Sequence, residues 1–193
     1  MYILFEGIDT TGKTTQIEKL KEIYADVVAT KEPGGTILGE KIREILLNRD
    51  FEISTNAELL LFIADRAEHH ERVIKPNSDK KVVSDRGFIS GLAYALTNNK
   101  NINLEYLIDL NKFALNGEFP QKIVFFVTNK QTLLARINSK NHDIIESRGI
   151  DYLLKVQDNM EFILNKLSLN YLKLDASLDI ESLHTKIKDY IND

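Results

Sequence analysis

The chain has 193 residues, 43% of them hydrophobic, which suits a single soluble domain with a full core. A formal charge of −4 argues against a general nucleic-acid surface, so an anionic ligand must be held by local cations. With no cysteine, disulfides and thiolate zinc sites are excluded. No apolar stretch reaches membrane-span length, and the run opening at Tyr2 leaves no room for a signal peptide, so the expected compartment is the cytoplasm and no membrane partner is expected.

Short β-like runs alternate with helical periodicity along the whole chain, which predicts an α/β fold with a parallel sheet. Predicted strands are Tyr2–Glu6, Val27–Thr30, Lys81–Ser84, Ile123–Val127 and Tyr171–Leu174. Predicted helices are Lys13–Tyr24, Gly39–Leu47, Asn56–Ile74, Ile89–Leu96, Leu104–Asn116, Lys130–Ile137, Gly149–Leu167 and Ile180–Ile191. The continuously apolar Ile123-Val124-Phe125-Phe126-Val127 reads as a strand covered on both faces. Right-handed crossovers then make a doubly wound sheet with ligands beyond the carboxyl ends of its strands.

The first strand runs into Gly7-Ile8-Asp9-Thr10-Thr11-Gly12-Lys13-Thr14, followed by Thr15 and a helix. This is the G-x-x-x-x-G-K-[ST] phosphate-binding loop in its strand–loop–helix setting. Gly7 and Gly12 let successive N–H groups turn inward onto phosphate oxygens, and the helix N-terminus adds its dipole. Lys13 supplies a charge for the outer phosphates and the Thr14 hydroxyl a ligand for Mg²⁺. The motif points to a nucleoside triphosphate such as ATP.

Lys31-Glu32-Pro33-Gly34-Gly35-Thr36 demands a sharp turn on the same rim, and Arg43 on the next helix can point back toward it. Phe62 and Arg66 lie four apart on a helix, offering a ring to stack on a base and a fork for its carbonyl acceptors; the competing reading is a core Phe with a surface Arg. His69 and His70 have no partner ligands at metal spacing and read as ordinary polar residues. The strand ending at Asp85 supplies an acid suited to Mg²⁺, although Asp at a strand-to-helix junction also caps helices well. Arg86, Ser90 and Tyr94, four apart, form one helical stripe that reads equally as a wall for a phosphorylated sugar or as a solvated helix face with a half-buried Tyr. The polar, aperiodic stretch 138–147, flanked by Arg136 and Arg148 and containing Lys140, reads as a mobile loop; closing, it would bring a cation to a transferring phosphoryl group, and the competing reading is a plain exposed basic loop.

Taken together, these residues resemble thymidylate kinase, and the likeness covers essentially the whole chain. It rests on Phe5-Glu6-Gly7-Ile8-Asp9, Lys31 through Thr36, Leu38-Gly39-Glu40 through Arg43, Phe62 through Arg66, Asp85-Arg86, and Ser90 with Ala93-Tyr94. The resemblance implies a three-layer P-loop kinase fold with a five-stranded parallel sheet in order 2-3-1-4-5, a lid at about 138–148, and a homodimer. It also implies phosphoryl transfer from ATP to dTMP with Mg²⁺. Phe62 would stack on thymine, Arg66 would contact its O4, Arg43 and Arg86 would hold the dTMP phosphate, and Pro33 and Ser90 would also bind the substrate. Tyr94 would reject a ribose hydroxyl, and Asp9 would lie near the sugar 3′-hydroxyl. Ile8 through Thr11 carry no cation, so the catalytic charge is expected from Arg148, Arg136 or Lys140. The chain departs from the family pattern at Gly87, at Gly91 and Ala95, where polar contacts to the base are usual, and at Asp143-Ile144-Ile145-Glu146 in the lid. The alternatives are a kinase for dUMP or thymidine, which the paired arginines disfavour for an unphosphorylated acceptor, and a GTPase-like switch. Asn129-Lys130-Gln131-Thr132 lacks the Asp that a guanine reader needs.

Overall fold

A computed structural model of the chain describes residues 1–137 and 149–193. The expected lid, with Arg148 and Lys140, therefore lies outside the described residues. The strands are β1 (Tyr2–Glu6), β2 (Val27–Lys31), β3 (Lys81–Asp85), β4 (Lys122–Val127) and β5 (Tyr171–Asp175), each within a residue of its predicted bounds. All pairings are parallel and the order is β2-β3-β1-β4-β5, as expected.

The helices are α1 (Lys13–Ile23), α2 (Ile37–Asn48), α3 (Thr55–His69), α4 (Phe88–Asn98), α5 (Leu104–Ala114), α6 (Lys130–Ile137), α7 (Ile150–Lys166) and α8 (Ile180–Asn192). Side chains of β1 alternate across the sheet. Ile3 and Phe5 pack with Ile17 and Leu20 of α1 and with Leu183, Ile187 and Ile191 of α8. Leu4 packs on the other face with Ile89 and Leu92 of α4 and Val156, Met160 and Ile163 of α7. Every residue of β1 is buried, which is why Tyr2 through Phe5 read as an unbroken apolar run; the buried Glu6 that ends the strand is the exception.

The helix ends depart from expectation at several points, and two of the departures have a local cause. Thr36 caps α2, its Oγ1 accepting the Gly39 N–H at 2.9 Å, so the helix starts at Ile37 rather than Gly39. The helix predicted over 56–74 ends at His69 and gives way to a π turn, His70–Ile74, and a 3₁₀ turn, Lys75–Asn77. Pro76 in that second turn has no N–H to continue an α-helical ladder, and the Lys75 N–H reaches back five residues to the His70 carbonyl.

The register sets the functional rim. Phe5 pairs with Asp85, Glu6 with Phe125, and Lys31 with Asp85, so β1, β2 and β3 deliver the phosphate loop, the 31–36 turn and Asp85 to one end of the sheet.

Candidate active site

Gly7 begins the loop at φ +146°, and a Cβ there would lie 2.6 Å from the Phe126 carbonyl oxygen, so only glycine lets β1 turn this close to β4. Thr10 follows at φ 63°, a conformation unusual for a residue with a side chain. Gly12 caps α1 with no side-chain partner for its first N–H groups, which leaves that N-terminus directed at a ligand. Of the predicted loop residues, Ile8 is fully buried and contributes backbone only. Thr11 Oγ1 donates to the Ile8 carbonyl at 2.8 Å and so braces the loop from within.

Lys13 Nζ donates to the Gly7 and Ile8 carbonyls, each at 3.0 Å, and lies 3.8 Å from Asp85 Oδ1. Burial and then the nearby Arg86 charge lower its pKa to about 8. The ammonium is thus held in place but poorly solvated, a condition that incoming phosphates relieve. A cavity of about 430 Å³ opens here, lined by Asp9, Thr10, Gly12, Lys13, Thr14, Thr15 and Arg136 among others. Arg136 sits on α6 outside the predicted lid, its guanidinium donating to the Thr10 carbonyl at 2.9 Å and the Ala176 carbonyl at 2.8 Å.

Thr14 Oγ1 donates to Asp85 Oδ2 at 3.0 Å. Asp85 is not the cap of α4. That task falls to Glu6, whose Oε1 accepts the Gly87 and Ser90 N–H groups, each at 3.1 Å, while Oε2 accepts from Ser90 Oγ. Glu6 is fully buried, and burial raises its pKa against the lowering effect of the Ser90 bonds. A single carboxylate and a hydroxyl, both hard oxygen donors beside the helix N-terminus, suit Mg²⁺, which keeps most of its shell for water and phosphate.

A second cavity adjoins the first. It is lined by Asp9, Pro33, Arg43, Phe62, Arg66, Arg86, Ser90 and Tyr94, which are all the residues predicted for an acceptor, together with Glu32, Leu47, Gly87 and Gly91. Arg43 on α2 points back to the rim, Nη1 donating to the Pro33 carbonyl at 2.9 Å. Arg86, at φ 71°, turns its guanidinium onto the Gly7 carbonyl and onto Asp9 Oδ1, 2.6 Å from Nη2. Burial alone would lower the Arg86 pKa; Asp9, then Tyr94 and Asp85, outweigh it and hold the guanidinium above its ordinary value. Asp9 lines both cavities, so the Asp9–Arg86 pair stands where they meet.

The deep end of the second cavity corrects two readings. Arg66 is 2% exposed, not a surface residue. Its Nη2 lies 2.8 Å from Glu32 Oε2, and Nη1 donates to Asn111 Oδ1 at 2.7 Å. His69 and His70 are likewise fully buried rather than ordinary polar residues. His69 Nδ1 meets Glu32 Oε1 and its Nε2 meets Thr30 Oγ1, both at 2.8 Å, while His70 faces Glu118 at 3.2 Å. Asp65 Oδ1 accepts the Gly34 N–H at 2.9 Å. Burial, with Glu32 nearby, pushes the Asp65 carboxyl up to about 6. Burial would raise Glu32 too, but Arg66 and His69 prevail and lower it. Helix α3 is thereby tied to the 31–36 turn through three side chains.

Glu6, Glu32, Asp65 and Asn111 are the residues that sequence reasoning missed. The available signal was a carboxylate inside an apolar strand or turn motif, which must find a partner once buried. Asn111 carried no such signal, because only the packing of α5 against α3 shows what it meets.

The thymidylate kinase family model matches residues 5–187. The thymidylate kinase of Campylobacter curvus (strain 525.92) is 50% identical over 192 residues, covering 99% of both chains. That of Sulfurovum sp. (strain NBC37-1) is 51% identical over 191 residues, again 99% of each. The crystal structure of thymidylate kinase from Ehrlichia chaffeensis superposes with a TM-score of 0.78 at 28% identity, over 100% of this chain and 98% of that one. A two-cavity rim with this loop, this fold and these relatives admits one assignment: the chain belongs to the thymidylate kinase family.

Proposed function

We propose that the protein transfers the γ-phosphoryl group of ATP to dTMP, yielding dTDP and ADP, in the supply of dTTP. The observation that carries this reading is the junction at Asp9–Arg86, which sets a triphosphate cradle against a second cationic cavity. The loop amides and Lys13 hold the donor phosphates. Arg43 and Arg86 hold the acceptor phosphate, and Phe62 and Arg66 meet its base. Tyr94 stands against the sugar. The acceptor phosphate oxygen is already nucleophilic, so the residues have to align it for in-line attack and no general base is required. Thr14 and Asp85 would hold Mg²⁺, which when bound neutralises charge on the phosphate oxygens. Arg148, Lys140 or Arg136 would add the remaining cation; of these, Arg136 is already fastened to the loop at Thr10.

A homodimer is part of the proposal. Helices α2, α3 and α5 pack in sequence on the structure and bear exposed Leu38, Leu60 and Phe113. Among the described residues no helix is long and apolar enough to cross a membrane; the reading adds that the enzyme acts on soluble nucleotides in the cytoplasm.

Phosphorus NMR of the products tests the reaction. ATP with dTMP should give dTDP and ADP, thymidine should give nothing because it has no phosphate for Arg43 and Arg86, and GTP should compete no better than other purine triphosphates. Absence of dTDP would overturn the proposal.

A further inference from the structure

A buried guanidinium must be neutralised and bonded, or it destabilises what surrounds it. Arg66 meets that demand in an asymmetric way. Glu32 supplies the counter-charge at Nη2, 2.8 Å away, and is itself gripped by His69. Asn111 takes one Nη1–H at 2.7 Å. The Asn111 amide is fixed in turn, since its Nδ2 donates to the Leu107 carbonyl at 2.7 Å, so Oδ1 must be the atom turned to Arg66. The Arg66 Nε–H has no partner among the described residues. On the third side stands Gly91 of α4, where a Cβ would lie 3.2 Å from both Nη1 and Nη2. That is a crowded approach to a group that Glu32 and Asn111 leave little room to shift.

Arg66 lines the acceptor cavity, whereas Asn111 does not. We infer that Asn111 is a positioning residue for base recognition and that Gly91 supplies the clearance it needs: together they hold the Arg66 fork where its remaining N–H groups select a pyrimidine monophosphate with a 4-oxo group over one with a 4-amino group. This rests on the proposed dTMP reaction. A fork of donors donates hydrogen bonds to carbonyl oxygens and finds only another donor at an exocyclic amine. It also accounts for the missing polar side chain at Gly91: the space at that position is taken by the arginine.

The test compares the affinities of dTMP and dCMP by calorimetry, without ATP, in the parent and in Asn111→Leu, Asn111→Asp and Gly91→Ala, alongside steady-state KM and kcat. Asn111→Leu should weaken dTMP about tenfold, the scale of one hydrogen bond to a charged group, and cut the dTMP-to-dCMP preference by a similar factor, with kcat at saturation nearly unchanged. Asn111→Asp keeps an acceptor for Nη1 and should restore most of the preference. Gly91→Ala should act in the same direction as Asn111→Leu. If Asn111→Leu lowers the melting temperature but leaves the preference intact, Asn111 is only structural and the inference fails. Should that variant not fold, an unchanged preference in Gly91→Ala overturns it equally. Failure of the unmodified protein to form dTDP would instead overturn the proposed reaction.

Discussion

Lys13 carries opposing demands at the scale of one residue. It is buried as a cation with a pKa near 8, below its ordinary 10.5, because burial disfavours the charged form and the Arg86 charge lies nearby. A depressed lysine pKa means that the folded chain binds fewer protons than the unfolded chain between those two values, so stability attributable to this group is full above pH 10.5 and declines as pH falls through 8. Lys13→Met should therefore lower kcat about a hundred- to a thousandfold while the ligand-free protein melts no earlier than the parent at pH 7. Its stability relative to the parent should shrink as pH rises above 8, and chemical denaturation at pH 7 and pH 10 checks the sign. Asp65 runs the opposite way. Its pKa is raised to about 6 from 3.8, so its contribution is full below pH 3.8 and is lost as pH rises through 6. Asp65→Asn keeps an acceptor for the Gly34 N–H and removes the ionisation. The stability of the variant relative to the parent should climb between pH 4 and pH 6, by on the order of 2–3 kcal/mol. A flat difference across that range would mean that Asp65 titrates normally.

Among the elements, α4 and α3 do most to shape the site, and neither is held by its own sequence alone. The N-terminus of α4 carries no capping side chain, because Gly87 occupies the cap position. Glu6 at the end of β1 reaches across and accepts two of its N–H groups. That bond set ties the strand that launches the phosphate loop to the helix that carries Ser90 and Tyr94. Glu6→Ala would leave those donors buried without partners, at a cost of about 2–4 kcal/mol in urea unfolding, and should raise KM for both nucleotides. A loss under about 0.5 kcal/mol would show that water replaces the carboxylate without penalty. The end of α3 gives a related lesson. Its apolar periodicity continues to Ile74, so the sequence reads as one long helix, but Pro76 and the burial of His70 against Glu118 turn the last stretch into a π turn.

For the molecule as a whole, two cavities meet at one ion pair, so the proposed binding is best read through stability. dTMP at about a hundred times its Kd should add about 2.7 kcal/mol, and thymidine at the same concentration much less, because Arg43 and Arg86 then have no phosphate to engage. Thermal melts with each ligand decide this; equal shifts would remove the phosphate from the account of the second cavity. Sedimentation at micromolar concentration should show a dimer, and a monomer there would assign another role to the apolar side chains exposed on α2, α3 and α5.

The sequence by itself determined the sheet, its two-sided core and the phosphate loop, since each is written in local spacing: apolar runs of strand length, helical periods, and glycines where the backbone must turn. The residues expected to meet an acceptor could be picked out as pairs four apart on helices and as a Pro-Gly-Gly turn, and all of them line one cavity. Only the tertiary structure decided that Arg66 is buried, that Asn111 and Gly91 define its place, that Glu6 rather than Asp85 caps α4, and that Asp9 joins the two cavities. The reason is physical. These assignments depend on which partner satisfies a buried polar group, and that partner lies 45 residues away in the case of Arg66 and 81 in the case of Glu6. Spacing along the chain records what a segment needs, and packing alone shows what meets the need.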